Sequence, residues 1–129
     1  MARLARILAA GNGFLAVALG AFGAHGLKPR LAALADGADR LDWWQTAAHY
    51  QLGHVVGLLL CAQLLDRGAG RPARVAVPCF ALGVLLFSGS LYAMALSGMH
   101  ALGKVTPLGG LLLLAGWTAL LIASVRERS

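Results

Sequence analysis

The chain has 129 residues, of which 59% are hydrophobic and only 12% are charged. Eleven Lys and Arg against five Asp and Glu give it a net charge of +6. Such an excess can indicate a nucleic-acid partner, but here the basic residues are scattered over short segments between long apolar runs. We therefore expect the lipid bilayer, and not nucleic acid, as the partner.

Four charge-free apolar runs dominate the sequence, at 7–27, 43–65, 75–103 and 105–125. A run of 21 residues forms a helix about 31 Å long, close to the roughly 30 Å hydrocarbon layer of a bilayer. A backbone in lipid must satisfy its own hydrogen bonds, and the four runs lack the alternating polar residues of barrel strands, so they are predicted to be helices. The fold class is therefore predicted to be all-α, an integral membrane bundle of four transmembrane helices. We predict a single domain over 1–129, with the third run ending at Ser97 and spans at about 7–27, 43–65, 75–97 and 105–125.

The basic residues are divided unevenly between the two ends of these spans. The side that holds both termini and the loop between the second and third spans carries seven of them: Arg3, Arg6, Arg67, Arg71, Arg74, Arg126 and Arg128. The other side carries Lys28, Arg30, Arg40 and Lys104, and Asp36, Asp39 and Asp42 offset three of these charges. Because positively charged loops are retained on the cytoplasmic side, we predict that both termini are cytoplasmic. The first span is expected to stay uncleaved, although it resembles a signal peptide, since three further spans follow it.

The loop at 28–42 has an apolar stripe with helical spacing, formed by Leu31, Leu34, Ala35, Ala38 and Leu41. This pattern predicts a short interfacial helix between the first two spans. Gly37 should divide it into two pieces or bend it. Trp43 and Trp44 are expected to anchor the chain at headgroup depth as it re-enters the membrane.

Small residues recur along each span at spacings that would let neighbouring helices approach closely. The predicted helix-packing positions are Asn12, Ala16, Gly20, Ala24, Gly53, Gly57, Gly83, Ser90, Ser97, Gly109 and Gly116.

Polar residues inside the spans are the functional candidates, because a polar group in hydrocarbon is costly unless it is paired or faces a cavity. The candidate cluster lies toward the helix ends on the outer side of the membrane, opposite the predicted cytoplasmic side. It comprises His25, Gln45, His49, Tyr50, Gln51, His54 and His100. His54 is expected to face the bundle and to hydrogen-bond to the first or third helix. Four histidines in one leaflet could bind a metal or haem, but they lack ligand spacing, so no metal or cofactor is predicted.

The spans contain no carboxylate, and no serine has an evident base partner. These absences disfavour an enzyme and an ion-coupled transporter with an acidic relay.

Several short blocks resemble those of the family called domain of unknown function 423. They are GAFGAHGL at 20–27, WQTA at 44–47, FSGSLY at 87–92 and TPLGG at 106–110, together with Tyr50, Gln51, His54, Gly116 and Trp117. This family contains small YgdD- and YwdK-like bacterial inner-membrane proteins and an animal transmembrane relative. The resemblance implies a four-helix protein of the inner membrane and no particular activity.

We therefore expect a non-enzymatic structural or interaction protein that acts through helix and lipid contacts, as a homo-oligomer or within a larger membrane complex. Two alternatives stay open at this point. One is a permease for a small solute or a metal, and the other is a haem- or metal-binding protein that uses the outer histidines.

The predicted topology can be tested by labelling cysteines introduced at Gly68 and Ser129. Both should resist an impermeant thiol reagent applied to intact cells and should react once the cells are opened, because both sites are predicted to be cytoplasmic. Labelling of both from outside intact cells would show that the topology is inverted.

Overall fold

The structure is a computed structural model that describes residues 1–126, and this part of the chain is almost entirely helical. The elements are α1 (Ala2–Phe22), a π-helical turn (Gly23–Leu27), α2 (Lys28–Leu31), α3 (Gly37–Asp66), α4 (Arg71–Ser97), a 3-10 turn (His100–Lys104) and α5 (Thr106–Arg126). No strand occurs among residues 1–126. Arg128, which contributes to the topology argument, lies outside the described residues, as does Ser129.

Four helical segments are long and apolar enough to cross a membrane: Ala2–Leu31, Gly37–Asp66, Arg71–Ser97 and His100–Arg126. Each contains one of the four spans predicted from the sequence. The prediction of an all-α protein with four membrane-spanning helices is confirmed. The orientation of the termini stays a prediction.

The segment between the first two spans differs in detail from the predicted interfacial helix. It forms two helical pieces on either side of a turn at 32–36, but both are continuous with the long helices. The first piece is α2, which follows directly on the π-helical turn, and the second is the start of α3 at Gly37. Gly37 is required at this junction, because a Cβ there would overlap the carbonyl group of Leu31.

The long helices lie in an open arrangement and do not form a closed bundle. The extensive contacts are those of α1 with α3, of α3 with α4 and of α4 with α5. Contact between α3 and α5 is much smaller. Consequently α1 packs on one side of α3 alone, and a groove stays open between α1 and α4.

Phe80 of α4 occupies the centre of the packing between α3, α4 and α5. Its side chain is fully buried. Gly57 of α3 and Gly116 of α5 lie against its ring, and a Cβ added at these glycines would come within 2.9 Å and 2.8 Å of ring carbons. Phe80 therefore fills a slot that exists only because both neighbouring helices lack a side chain there.

α4 and α5 also approach each other closely on the side of Phe80 toward Thr106, the start of α5. A Cβ at Gly83 would lie 2.6 Å from a methyl group of Leu113, and one at Gly109 would overlap the backbone of Phe87. The Ser90 and Thr106 hydroxyls are 2.6 Å apart and hydrogen-bond across the same interface. Small residues thus allow backbone contact, which is how helices associate tightly in lipid.

The predicted row of small residues on the first span is only partly an interface. Ala16 is buried, but Ala24 is exposed and a Cβ at Gly20 would meet nothing within 4 Å. The buried positions of this span are instead Ala5, Ala9, Ala16, Gly23 and Leu27. A four-residue step turns a helix about 40° beyond a full turn, so a strict four-residue row drifts off the contact face. Gly53 and Ser97 are likewise exposed.

Arg40 joins the start of α3 to the end of α4. Its Nε and Nη2 atoms each donate a hydrogen bond of 2.7 Å, to the carbonyls of Ala95 and Leu96 respectively. Asp36 lies 3.7 Å from the same guanidinium group. Gly98, with a positive φ of 71°, ends α4 beside it. A cation at the last carbonyls of a helix stabilises that end of the helix.

The slot around Phe80 predicts opposite effects of alanine at two glycines one turn apart on α3. Gly57→Ala should lower the stability in detergent by about 1–3 kcal/mol, because Gly116 prevents the Phe80 ring from moving away. Gly53→Ala should leave stability unchanged or raise it by up to about 1 kcal/mol, because the site is open and alanine favours the helix. Thermal unfolding of both variants would measure the difference. Equal stabilities would contradict the close packing of Phe80 on Gly57.

Candidate functional site: polar and aromatic clusters between the helices

Polar residues within the spans form two clusters, both of which depend on α3. Gln51 belongs to the cluster between α3, α1 and α4, whereas His54 belongs to the cluster between α3, α4 and α5. Three residues correspond to about 300° of helical rotation, so the two side chains face directions about 60° apart. A single turn of α3 therefore connects both clusters.

The first cluster, which we call the amide chain, consists of Tyr92, Gln51 and Asn12. The Tyr92 hydroxyl donates to Gln51 Oε1 at 2.8 Å, and Gln51 Nε2 donates to Asn12 Oδ1 at 3.3 Å. Asn12 Nδ2 then donates to the Leu8 carbonyl at 2.9 Å. The donors all point the same way along the chain, which joins α4, α3 and α1. Such bonds between helices stabilise a bundle in lipid, where water is not available as a partner.

Trp44 packs against Tyr92, the residue at which the amide chain begins. Its ring centroid lies 4.5 Å from that of Tyr92, and its Nε1 donates to the Leu19 carbonyl at 2.7 Å. The π-helical turn that follows Leu19 brings Gly23 against the indole, where a Cβ would lie 2.5 Å from Trp44 Cδ1. Trp44 is only 3% exposed. Its indole therefore packs against other helices and does not face lipid headgroups, while the depth of Trp43 and Trp44 in the membrane stays a prediction.

The second cluster, which we call the aromatic cluster, is centred on His54 and includes Tyr50, Phe80, Phe87 and Trp117. His54 Nδ1 lies 2.6 Å from the Tyr50 carbonyl, and the Trp117 Nε1 donates to His54 Nε2 at 3.1 Å. A carbonyl only accepts and an indole N–H only donates, so Nδ1 carries the hydrogen and the imidazole is neutral. Both ring nitrogens are occupied by these bonds.

His54 does face the bundle, with 8% of its surface exposed. Its partner across the helices is Trp117 of the fourth span, so the expectation of a partner on the first or third span is wrong. The third span contributes Phe80 instead, whose ring centroid is 5.7 Å from that of His54.

The other predicted polar residues do not join either cluster. His25 is exposed in the π-helical turn. Gln45 and His49 line a shallow groove of about 500 Å³ between α1 and α3, beside Gly20. His100 packs edge-on against Trp43, with ring centroids 5.2 Å apart. The seven residues proposed from the sequence therefore do not form one site.

Four residues of these clusters were not among the candidates named from the sequence, although three of them lie in the family-like blocks: Phe80, Phe87, Tyr92 and Trp117. Ser88, in the same block as Phe87 and Tyr92, was not named as a candidate either. Ser88 donates a hydrogen bond of 2.8 Å to the Ala47 carbonyl and is almost fully buried. A tyrosine or tryptophan deep in an apolar run was a usable signal, because its O–H or N–H needs an acceptor. Phe80 gave no comparable signal, since a phenylalanine can occupy any apolar position.

The chemistry available to these clusters is limited. Within 1–126, no three His, Cys, Asp or Glu side chains come together as a metal site would require. Every buried side-chain nitrogen and oxygen of the described residues has a hydrogen-bond partner within the protein. Several of these polar groups hydrogen-bond one helix to another, and Tyr50, His54 and Trp117 also line a cavity of about 620 Å³ between α3, α4 and α5.

The amide chain predicts different effects for the two tyrosines of the protein. Tyr92→Phe should lower stability by about 0.6 kcal/mol, the average for hydrogen bonds between membrane helices, and by at most about 1.7 kcal/mol, because Gln51 Oε1 loses its donor. Tyr50→Phe is the matched control, since the Tyr50 hydroxyl makes no hydrogen bond to the described residues. Unfolding in detergent would compare the two variants. Equal losses would show that the Tyr92 hydrogen bond contributes nothing.

Comparison with known proteins gives consistent matches over nearly the whole chain. Residues 19–110 match the family described as "Protein of unknown function (DUF423)". That segment contains Gln51, His54 and Tyr92, but neither Asn12 nor Trp117. No solved structure matches the chain significantly.

Three relatives illustrate the similarity. The chain is 41% identical to a "UPF0382 membrane protein" of Haemophilus influenzae, over 95% of this chain and 94% of that protein. It is 41% identical to the "UPF0382 inner membrane protein YgdD" of Escherichia coli K12, over 96% and 91%. It is 40% identical to the "UPF0382 membrane protein YwdK" of Bacillus subtilis, over 93% and 94%. Together with the four apolar helices, these matches show that the chain belongs to the DUF423 family of membrane proteins.

Proposed function

We propose that this protein is a non-enzymatic protein of the inner membrane that acts through contacts with other membrane helices and with lipids. The inner-membrane location is supported by the name of its relative, the inner membrane protein YgdD. The main support is that the buried polar side chains of the described spans are all satisfied inside the protein. Polar groups that hydrogen-bond one helix to another stabilise the fold. The outer surface of the helices is then what the protein offers to other helices and to lipids.

The surface that best fits a helix contact is the groove between α1 and α4. It has a volume of about 430 Å³. Apolar side chains such as Leu15, Leu82 and Leu85 form its sides, and these three are 49%, 51% and 65% exposed. Gln51 and Tyr92 of the amide chain lie in its floor. Small residues in the wall, such as Ala81 and Gly89, would allow another helix to approach closely.

Neither alternative function is favoured by a specific observation. A metal or haem needs ligands that converge, whereas His25 and His49 are exposed in separate helices and both nitrogens of His54 are occupied. A permease needs a polar path through the protein, whereas Leu58, Cys61, Val77 and Phe80 are buried and packed together between α3 and α4, from the level of His54 toward Asp66.

Photo-crosslinking in native membranes would test the proposal. Benzoylphenylalanine at Leu82, in the groove, should give a crosslink to a protein, either a second copy or a partner. The same probe at Leu121, which is 64% exposed and lies on α5 away from the groove, should react with lipid alone. Both positions are lipid-accessible leucines on outer faces, so the comparison is matched for chemistry.

Absence of any protein adduct from Leu82, with the variant folded and inserted, would contradict action through helix contacts. Solute flux in liposomes or a haem absorbance band in the purified protein would then favour one of the alternatives. An adduct with a second copy and one with another protein would both support the proposal and would identify the partner.

A further inference from the structure

A basic pocket lies at the end of the molecule where α3 ends, α4 begins and α5 ends. It has a volume of about 410 Å³ and is lined by the turn from Arg67 to Pro72 together with Ala123 and Arg126. Three arginines, Arg67, Arg71 and Arg126, therefore contribute to one concave surface. They come from segments more than 50 positions apart in the chain and meet only in the folded protein.

Two of these arginines, Arg71 and Arg126, have no acidic partner within residues 1–126. Asp66 is the one carboxylate within 1–126 at this end, and it forms an ion pair with Arg6. Within the same range, Arg71 and Arg126 make neither an ion pair nor a side-chain hydrogen bond. The first turn of α4 has no acidic residue. An anion would be attracted to this surface by the guanidinium groups and by the positive end of the α4 dipole.

An apolar groove continues from the pocket along the outside of α4 and α5. It shares Arg71, Pro72 and Arg126 with the pocket and then passes Val75, Ala119 and Ile122. Val75 and Ile122 are exposed. The surface is thus basic at the end of the helices and apolar one turn deeper along the spans. A molecule that fits both parts has an anionic head and a hydrocarbon chain.

We propose that the basic pocket binds the phosphate of an anionic phospholipid, with one acyl chain of that lipid lying along the groove between α4 and α5. Arg71 and Arg126 would hold the phosphate oxygens, since guanidinium groups match phosphate in charge and geometry. This inference rests on the lipid-contact part of the proposed function and gives it a lipid class. The lipid site and the proposed helix contact can fail independently. The helix contact is tested by crosslinking at Leu82 in the groove between α1 and α4, whereas the lipid site is tested by lipid binding at the basic pocket.

Lipid binding to the purified protein in detergent would test this site, measured by native mass spectrometry and by the rise in Tm. Dioleoyl phosphatidylglycerol should bind more tightly than dioleoyl phosphatidylcholine, which has the same chains and no net charge. The double variant Arg71→Gln/Arg126→Gln should weaken phosphatidylglycerol binding about 30-fold, or about fivefold for each arginine near the lipid surface. The matched control Arg3→Gln/Arg74→Gln removes two charges that do not line the pocket and should change binding less than about threefold.

The groove is tested by a second pair of variants on α5. Ile122→Ser should weaken binding of dioleoyl phosphatidylglycerol, whereas Leu121→Ser, the neighbouring exposed residue outside the groove, should not. Equal binding of the two lipids, or equal effects of the two double variants, would overturn the proposal. Stabilisation by inorganic phosphate equal to that by phosphatidylglycerol would also overturn it, because the pocket would then be a phosphate site that needs no lipid chain.

Discussion

Helices inside a bilayer gain nothing by removing apolar surface from water, since lipid is as apolar as they are. Their association depends on close approach and on hydrogen bonds that lipid cannot replace. In this protein the close approach is made by Phe80, which fills the slot between Gly57 and Gly116 and so joins α3, α4 and α5. The backbone contact of Gly109 with Phe87 extends this close packing along α4 and α5. The positions of the polar clusters follow from this packing.

The two polar clusters show how a membrane protein can bury amide, hydroxyl and imidazole groups without burying charge. Neutral groups cost less to remove from water than ions, and each becomes tolerable once its hydrogen bonds are made within the protein. The amide chain joins three helices in sequence, and the bond from Trp117 to His54 joins α5 to α3. Charged residues such as Arg40 and Arg6 act instead at the helix ends, where water and headgroups are available.

The open arrangement leaves two surfaces with different chemistry. Between α1 and α4 there is an apolar groove with a polar floor, whereas at the ends of α3, α4 and α5 there is a basic pocket. We propose a helix contact for the first and a headgroup contact for the second. α1 packs extensively only on α3, which leaves the first groove open on the side of α4. In this proposal, protein contact and lipid contact are separate properties of one small bundle.

The sequence by itself determined the fold class and the four spans, because hydropathy and length are local properties of each segment. It also identified Gln51 and His54 as polar residues that the bundle must satisfy. Only the tertiary structure decided that Gly57 is a contact while Gly53 and Gly20 are not, and that His54 pairs with Trp117. The same is true of the basic pocket, where Arg126 meets Arg67 and Arg71 from a distant part of the sequence. The physical reason is that the rotation of each helix about its axis, and the choice of its neighbours, depend on how whole helix surfaces fit together, and a local pattern does not contain that information.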